Sequence, residues 1–348
     1  MIIQNRKIGI GEPVFFIAEA GVNHNGSWEL AMQLIDAAAD AGADAVKFQT
    51  FKTENIILPT APKSTYHIQT TGSDKDQSWF ELLKTQEISR DMHIALIEYC
   101  KKRNIIFMST PYDKDSIDLL DELDVPAFKI ASTDTNNLPL LRYAAKKGKP
   151  IILSSAMSTM DEVINAVNAV RETGLNEVAM LQCTGNYPAF LKDSNLRVMN
   201  TYLNILNCVV GYSDHTLEFI NPIAATAMGA SIYEKHITID KNLAGPDHRM
   251  ALDPNELKET IKLIRSTEDA LGNSQKEILD SEKENRQKLR KSLVSETEIL
   301  EGAIITSDNI AVKRPGGGMD PSLYDSLLGK KALSEIPANT ILKPDMFQ

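Results

Sequence analysis

The chain has 348 residues, of which 43% are hydrophobic and 24% are charged. Such a chain buries a full core, which excludes a disordered or low-complexity polymer and allows one large domain with or without a small one. Lys and Arg number 37 against 47 Asp and Glu, a net charge of −10. This charge argues against nucleic acid or an anionic membrane surface as the main partner, so we expect a small molecule.

The chain carries no sequence signal for a membrane or for secretion. No apolar run approaches the roughly 18 to 20 residues of a membrane span, and the first residues, MIIQNRKIGIGEP, lack the apolar core of a signal peptide. We therefore expect a cytoplasmic protein. Cys100, Cys183 and Cys208 have no CxxC spacing, so neither a disulfide framework nor a cysteine zinc site is expected.

Eight short apolar runs alternate with stretches of helical periodicity from Val14 to about Ile239. Helix candidates such as SWELAMQLIDAAADAG and TMDEVINAVNAVRETG begin on a Ser or Thr cap and end at Gly. This alternation predicts an α/β fold, a (β/α)₈ TIM barrel. A doubly wound sheet is the alternative, but it usually has fewer strands, and no GxGxxG turn follows the first run. The runs begin at Val14, Asp44, Ile105, Ala127, Pro150, Glu177, Val209 and Ser231.

Two segments depart from this alternation. Residues 55–78 are too many for an ordinary loop and predict an insertion over the barrel mouth. After the last barrel helix comes a stretch rich in charges of both signs, which is typical of a solvated helix or linker. We predict a barrel domain over 1–274, a linker over 275–290 and a small β-rich module over 291–348, where GAIITSDNI and NTILKPDMF form a weak repeat.

Every predicted strand ends in polar residues. In a TIM barrel the chemistry lies at the C-terminal ends of the strands, and eight polar ends together are hard to explain as chance. In chain order they comprise Glu19; Lys47 and Gln49; Ser109 and Thr110; Lys129, Ser132 and Asp134; Ser154 and Ser155; Thr184, Asn186 and Tyr187; Ser213, Asp214 and His215; and Glu234, Lys235 and His236.

Lys47 and Lys129 lie inside runs that should be buried, so each ammonium needs an anion beside it. One explanation is an internal ion pair with Glu19 or Glu234. The other is a cage for a phosphate or carboxylate, in which the two lysines are joined by hydroxyl groups. The hydroxyls available at the strand ends are those of Thr110, Ser132, Ser154 and Ser213.

Two histidines suggest a metal. His215 and His236 end adjacent strands, the geometry of two ligands on one metal face. Imidazole favours zinc, iron or copper, whereas a site completed by water and carboxylate oxygens suits manganese or magnesium, and spacing does not choose among them. The loop AGPDHRM adds Asp247 near the same mouth, and VKRPGGG places Arg314 beside a glycine-rich loop; alone, each is an ordinary surface feature.

A series of motifs resembles the sialic acid synthases over essentially the whole chain. In order these are IAEAGVNHNG, DAVKFQTF, FKIASTDTNNLPLL, QCTGNYP, GYSDH, EKHIT, GPDH and VKRPGGG. The resemblance implies a TIM barrel followed by an antifreeze-like (SAF) domain, in a domain-swapped homodimer where each small domain closes the partner's barrel. It implies an enzyme that condenses phosphoenolpyruvate with an N-acylated mannosamine-type sugar, giving a nonulosonic acid and phosphate.

The resemblance also implies a role for each matching residue. It places Mn²⁺ or Mg²⁺ on His215 and His236. Asp134 is a departure, because a number of family members carry Glu at this position as the expected acid/base, and Asp is shorter by one methylene. The sugar would contact Gln49, Tyr187, Asp247 and the partner's Arg314. Phosphoenolpyruvate would contact Lys47, Thr110, Lys129, Ser132, Ser154, Asn186 and Ser213.

For the reaction we expect C3 of phosphoenolpyruvate to attack the aldehyde of N-acetylmannosamine. Glu19 would stabilise positive charge at C2, Asp134 would activate the water, and Lys47 and Lys129 would hold the departing phosphate. The alternative acceptor is 2,4-diacetamido-2,4,6-trideoxymannose, which would give legionaminic acid. Two other functions are open: a Schiff-base aldolase using Lys129, and a non-catalytic binding protein, against which the strand-end lysines and histidines argue.

Overall fold

The computed structural model describes residues 1–73 and 75–348. The chain forms two compact units, Met1–Gly272 and Asn273–Gln348. A short antiparallel pair, β1 (Ile2–Ile3) and β2 (Arg6–Lys7), opens the first unit. In the described part of the chain, no helix combines the length and apolarity that crossing a bilayer requires.

Eight parallel strands then close into a barrel, in the order β10-β3-β4-β5-β6-β7-β8-β9. The predicted (β/α)₈ barrel is confirmed, and each of the eight predicted runs contains one strand. The strands are β3 (Phe15–Gly21), β4 (Ala45–Thr50), β5 (Ile106–Pro111), β6 (Phe128–Ile130), β7 (Ile151–Ser154), β8 (Val178–Cys183), β9 (Val209–Asp214) and β10 (Ile232–His236).

Most helices between the strands begin at a residue whose side chain caps them, although the second, ninth and tenth helices have no such cap. Ser27 caps the first helix by accepting from the Leu30 amide, and Gly42 ends it with a φ of 84°. Thr159 and Glu162 form a capping box on the eighth. The helices of this unit are α1 (Trp28–Ala41), α2 (Thr53–Ile56), α3 (Thr65–Thr71), α4 (Trp79–Gln86), α5 (Arg90–Lys102), α6 (Lys114–Glu122), α7 (Leu138–Ala145), α8 (Met160–Arg171), α9 (Val198–Ile205), α10 (Ile220–Ala227) and α11 (Pro254–Leu271).

Alternation along the strands separates two cores. One set of side chains packs outward against the helices, where α1 buries Ala31, Leu34, Ile35 and Ala38 at helical spacing. The other set fills the barrel interior at the N-terminal ends of the strands, with Phe15, Ile17, Ala45, Ile106, Met108, Ala127, Ile152, Ala179, Leu181 and Ile232. Two residues further along the same strands, the inward positions become polar.

The second unit is built around its own small core. Strands β11 (Ser292–Ser295) and β12 (Ile310–Lys313) pair antiparallel, and helices α12 (Lys283–Leu289) and α13 (Tyr324–Leu327) accompany them. Its buried apolar residues are Leu293, Ile299, Ile305, Ile310, Leu327, Ala332, Ile336, Leu342 and Phe347. These side chains form a core of their own, as an independently packed module requires.

Candidate active site

A cavity of about 510 Å³ opens at the C-terminal ends of the barrel strands. Pockets of this size accommodate small metabolites. Of the fifteen residues to which the sequence assigned a role in binding or catalysis, twelve line it: Glu19, Lys47, Gln49, Thr110, Lys129, Ser132, Ser154, Asn186, Tyr187, Ser213, His215 and His236. Asp134, Asp247 and Arg314 are not among its lining residues.

Strand register explains why these side chains meet. Every second residue of β3 points into the barrel: Phe15, Ile17 and Glu19. The first two belong to the apolar core, and the third places a carboxylate directly above it. Glu19 is in register with Lys47 on one side and with His236 on the other. The polar layer of the barrel therefore sits directly on its apolar core.

Gly21 permits close packing at the end of β3. Its φ is +52°, in the left-handed region, and the strand register shifts between Glu19 and Gly21. A Cβ atom at this position would lie 3.1 Å from Oε1 of Glu19, 3.4 Å from Nε2 of Gln49 and 3.6 Å from Cε1 of His236. A side chain here would crowd Glu19 and would touch Gln49 and His236 of the cavity wall.

Two lysines and two carboxylates form the buried charge cluster of the cavity floor. Lys47 contacts Glu19, lies 3.7 Å from Oε2 of Glu234 and donates to the Thr110 hydroxyl at 3.0 Å. Lys129 lies 3.4 Å from Oε1 of Glu234. All four charged side chains are buried, and the cluster carries no net charge when every member is ionised.

Hydroxyl groups complete the cluster. Lys129 donates to the Ser154 hydroxyl at 2.6 Å, and the Ser213 hydroxyl donates to Glu234 at 2.9 Å. The structure thus contains both features that the sequence left open for these lysines: the internal ion pairs with Glu19 and Glu234, and a ring of hydroxyls around two ammonium groups. The ring is the part that a bound anion would contact.

Burial sets the protonation of these groups. It lowers the pKa of Lys47 to about 7, an effect that Lys129 reinforces and Glu234 opposes. The same burial acts on Glu234 in the direction of a higher pKa, but Lys129, Lys47 and the Ser213 hydroxyl outweigh it and lower that pKa. At neutral pH Glu234 is therefore a carboxylate, while Lys47 is close to its titration point.

The two predicted metal-ligating histidines face each other, with ring centroids 5.5 Å apart. Nδ1 of His215 lies 2.8 Å from the Thr184 carbonyl oxygen, which can only accept, so Nδ1 donates and Nε2 is left for a ligand. Although burial lowers it, the pKa of His215 is raised by Cys183 and the Thr184 carbonyl. Burial and the charge of His215 lower the pKa of His236, which favours its neutral, ligating form.

These residues fit a divalent cation as a partial ligand set. Nδ1 of His236 is buried without a hydrogen-bond partner in the described chain and lies 3.7 Å from a carboxylate oxygen of Asp247. Within residues 1–73 and 75–348, no three His, Cys, Asp or Glu side chains form a ready-made ligand group. An ion here would take two imidazoles from the protein and oxygen ligands from water or substrate; the imidazoles suit zinc, iron or copper, and the oxygen ligands suit Mn²⁺ or Mg²⁺.

The three predicted residues outside the lining differ in their surroundings. Burial raises the pKa of Asp247 to about 6, against the positive charges of His215 and Lys47. Asp134 ends the 3₁₀ turn that begins at Ser132; burial raises its pKa, and its carboxylate accepts from Asn137 at 2.9 Å. Arg314 belongs to the second unit and donates from Nε to the Leu289 carbonyl oxygen at 2.9 Å.

Several cavity residues lie outside the fifteen residues to which the sequence assigned a role in binding or catalysis. The sequence predicts Glu234 only as a strand-end residue and as one possible ion-pair partner of the two lysines, and the distances show that pairing. Tyr112 comes directly after β5 and Cys183 is the last residue of β8, so their places at strand ends could have indicated them. Tyr66 and His67 lie on α3 in the predicted insertion, where the alternation of a strand gives no guidance. Of these, Glu234 matters most, because both lysines pair with it.

Comparison with known proteins places this site in a family. The chain is 42% identical to the N,N'-diacetyllegionaminic acid synthase of Campylobacter jejuni, covering 94% of this chain and 98% of that protein. It is 36% identical to human N-acetylneuraminate-9-phosphate synthase, covering 98% and 94%. The crystal structure of the spore coat polysaccharide biosynthesis protein SpsE from Bacillus subtilis aligns with a TM-score of 0.68 at 38% identity, over 100% of this chain and 99% of that one. Since the NeuB family model matches residues 34–276 and the SAF domain model matches residues 290–348, this chain belongs to the NeuB family and carries a SAF domain.

Proposed function

We propose that this protein condenses phosphoenolpyruvate with the open-chain form of an N-acylated mannosamine, giving a nonulosonic acid and phosphate. The observation that carries the proposal is the pair of buried lysines, Lys47 and Lys129, ringed by the hydroxyls of Thr110, Ser154 and Ser213 at the barrel mouth. Ammonium and hydroxyl donors held in a buried pocket are the groups that bind phosphate and carboxylate oxygens.

The charge balance of the cluster supports a role for a divalent cation. Two ammonium groups are already matched by Glu19 and Glu234, so the phosphate and carboxylate of phosphoenolpyruvate would bring negative charge that the floor does not neutralise. A divalent cation held by His215 and His236 would offset it, and when bound would polarise the sugar aldehyde as a Lewis acid. Mn²⁺ or Mg²⁺ is proposed because of the resemblance to the sialic acid synthases, and the oxygen ligands that would complete the site suit either ion.

The other steps of the proposed reaction use side chains of the protein. Lys47 and Lys129 hold the phosphate, and Glu19 lies where it can stabilise positive charge that develops at C2 as C3 attacks the aldehyde. Asp134 is proposed to take the proton of the water that adds at C2. Burial raises the pKa of Asp134, which makes its carboxylate a stronger base than that of an exposed aspartate. The C–O bond to the phosphate then breaks.

Two acceptors follow from the proposal. N-acetylmannosamine is the one predicted from the sequence. The similarity to a relative named as an N,N'-diacetyllegionaminic acid synthase favours 2,4-diacetamido-2,4,6-trideoxymannose as the second candidate. The two sugars differ at C4 and C6, so groups near that end of the acceptor would discriminate between them.

The course of the reaction is tested with water labelled by ¹⁸O. C–O cleavage delivers the label to the sugar acid and leaves the released phosphate unlabelled, whereas label in the phosphate would contradict the proposal. A Schiff-base aldolase would be revealed by borohydride trapping of a substrate adduct on Lys129. We expect no such adduct, because Lys129 is paired with Glu234 and bonded to Ser154.

The homodimer with exchanged small domains, and a sugar contact from the partner's Arg314, stay predictions. Sedimentation of the purified protein tests the dimer. An Arg314→Ala variant should weaken use of the sugar more than binding of phosphoenolpyruvate, and equal losses would contradict that role.

A further inference from the structure

One wall of the cavity comes from the insertion and carries polar groups without partners. Tyr66 and His67 of α3 line the cavity, and the Tyr66 hydroxyl and Nδ1 of His67 are shielded from solvent. Neither atom has a hydrogen-bond partner among the residues that the structure describes. Since an unpaired buried polar atom is costly, a ligand that pairs with these two atoms would be favoured over one that does not.

This wall lies one aromatic ring away from the histidine pair. The Tyr66 ring centroid is 6.1 Å from that of Tyr187, which in turn lies 4.2 Å from the His215 ring and 6.1 Å from the His236 ring. The charge of Asp247 also acts on the Tyr66 phenol. Tyr66 therefore borders Tyr187, a residue proposed for the sugar, on the insertion side of the cavity.

The distance along the acceptor decides which of its groups can reach this wall. With its aldehyde at the histidines, an extended sugar chain advances by roughly 1.3 Å per carbon–carbon bond, since each bond is about 1.5 Å long. The group on C2 then stays beside the imidazoles. An acceptor that runs from the histidines towards Tyr187 would place C4 about 4 Å from its aldehyde carbon and would direct the group on C4 towards Tyr66 and His67.

The chemistry of the wall matches an uncharged amide. Burial raises the pKa of Tyr66 to about 12, so its phenol is a neutral donor at pH 7. Burial and the charge of Lys63 lower the pKa of His67, whose ring is therefore neutral and packs 4.9 Å from the Trp79 ring. A neutral O–H donor beside a neutral ring nitrogen can serve an amide carbonyl and an amide N–H together.

We propose that Tyr66 and His67 bind the acetamido group at C4 of 2,4-diacetamido-2,4,6-trideoxymannose and so select it over N-acetylmannosamine, which has a hydroxyl at C4. This inference rests on the proposed function and adds to it the determinant of the acceptor. Tyr66 donates its hydroxyl to the amide oxygen, and Nδ1 of His67 accepts from the amide N–H.

The test compares kcat/KM for the two sugars by phosphate release from phosphoenolpyruvate. We expect the wild type to prefer the diacetamido sugar, and Tyr66→Phe, which keeps the ring, to lower that preference about tenfold while KM for phosphoenolpyruvate changes less than about twofold. His67→Leu should also lower the preference for the diacetamido sugar, so the inference can still be tested if one of the two variants folds poorly. The matched control is Tyr99→Phe, because Tyr99 gives its hydroxyl to Asp36 on the helical layer, outside the cavity.

Two results would overturn the inference. One is an unchanged preference in both cavity variants, with active wild type. The other is a wild type that turns over N-acetylmannosamine and rejects the diacetamido sugar. Both leave the proposed synthase reaction standing. A wild type that releases no phosphate with either sugar would overturn that reaction as well, so the two failures are distinguishable.

Discussion

Replacement of Glu234 by glutamine tests the charge cluster on the cavity floor. Glu234 is 5% exposed, and its Oε1 accepts from Ser213 at 2.9 Å and lies 3.4 Å from Nζ of Lys129. Its Oε2 lies 3.7 Å from Nζ of Lys47. Glutamine keeps the shape of the side chain and the bond from Ser213 but removes the charge.

The stability lost in Glu234→Gln comes mainly from Lys129, which loses its carboxylate partner. Lys47 keeps its contact with Glu19, whereas Glu234 is the only carboxylate paired with Lys129 in the described chain. Breaking a buried ion pair costs about 3 to 5 kcal/mol. Because the new amide would still offer an oxygen and Ser154 still accepts from Lys129 at 2.6 Å, we expect the lower end, about 3 kcal/mol at pH 7.

The loss of stability in Glu234→Gln should also depend on pH, which can be measured separately. A lysine left without an anion can lose its proton, at a cost of about 1.4 kcal/mol for each pH unit below its ordinary pKa of about 10.4. The loss in Glu234→Gln is therefore bounded by about 2 kcal/mol at pH 9. Stability of the variant should approach that of the wild type as the pH rises.

The assay is urea unfolding of both proteins at pH 7 and pH 9. The matched control is Glu172→Gln, which removes a surface pair with Arg142 and should cost less than about 1 kcal/mol at either pH. A loss in Glu234→Gln that equals the control, or that does not shrink between pH 7 and pH 9, would refute the cluster as a coupled set of buried charges.

Three further predictions follow from the same cavity. The pKa of Lys47 in the folded protein is about 7, and only its ammonium form binds phosphate. The kcat/KM for phosphoenolpyruvate should therefore be full below about pH 6, fall to about half at pH 7 and fall about tenfold per unit above about pH 8; a profile flat to pH 9 would contradict this. Lys129→Met should lower kcat/KM for phosphoenolpyruvate at least about 100-fold through the lost phosphate contact, and a change below about threefold in steady-state kinetics would remove Lys129 from that role. Gly21→Ala should destabilise the fold by about 1 to 2 kcal/mol, because φ is +52° and the new Cβ lies 3.1 Å from Oε1 of Glu19. An unchanged midpoint of urea unfolding would contradict this prediction and would show that Glu19 moves aside without a loss of stability.

The barrel was predictable because its signal is repeated eight times. The run from Val14 contains β3 at Phe15–Gly21, and that from Ser231 contains β10 at Ile232–His236. Each strand shows a short buried run that ends in polar residues, and the rule that chemistry lies at C-terminal strand ends then selects the cavity wall. Hence twelve of the predicted residues lie on one cavity.

Other features of the site depend on distances between side chains, which the sequence pattern does not give. Glu234 reads equally well as a functional acid and as an internal partner for a lysine, and only the distances show that both lysines reach it. Tyr66 and His67 lie in an insertion whose helix has seven residues, too few for a periodic signal. Arg314 donates to the Leu289 carbonyl oxygen within its own unit, and its contact with the sugar in a second copy of the chain stays a prediction.

The measurement that tests the synthase proposal most directly is phosphate release from phosphoenolpyruvate with Mn²⁺, in parallel with N-acetylmannosamine and 2,4-diacetamido-2,4,6-trideoxymannose. We expect release that requires a sugar, is abolished by chelation and restored by the metal, and falls at least about 100-fold in His236→Ala. Release with neither sugar, or release that continues unchanged in His236→Ala and after chelation, would contradict a metal-assisted synthase at this cavity.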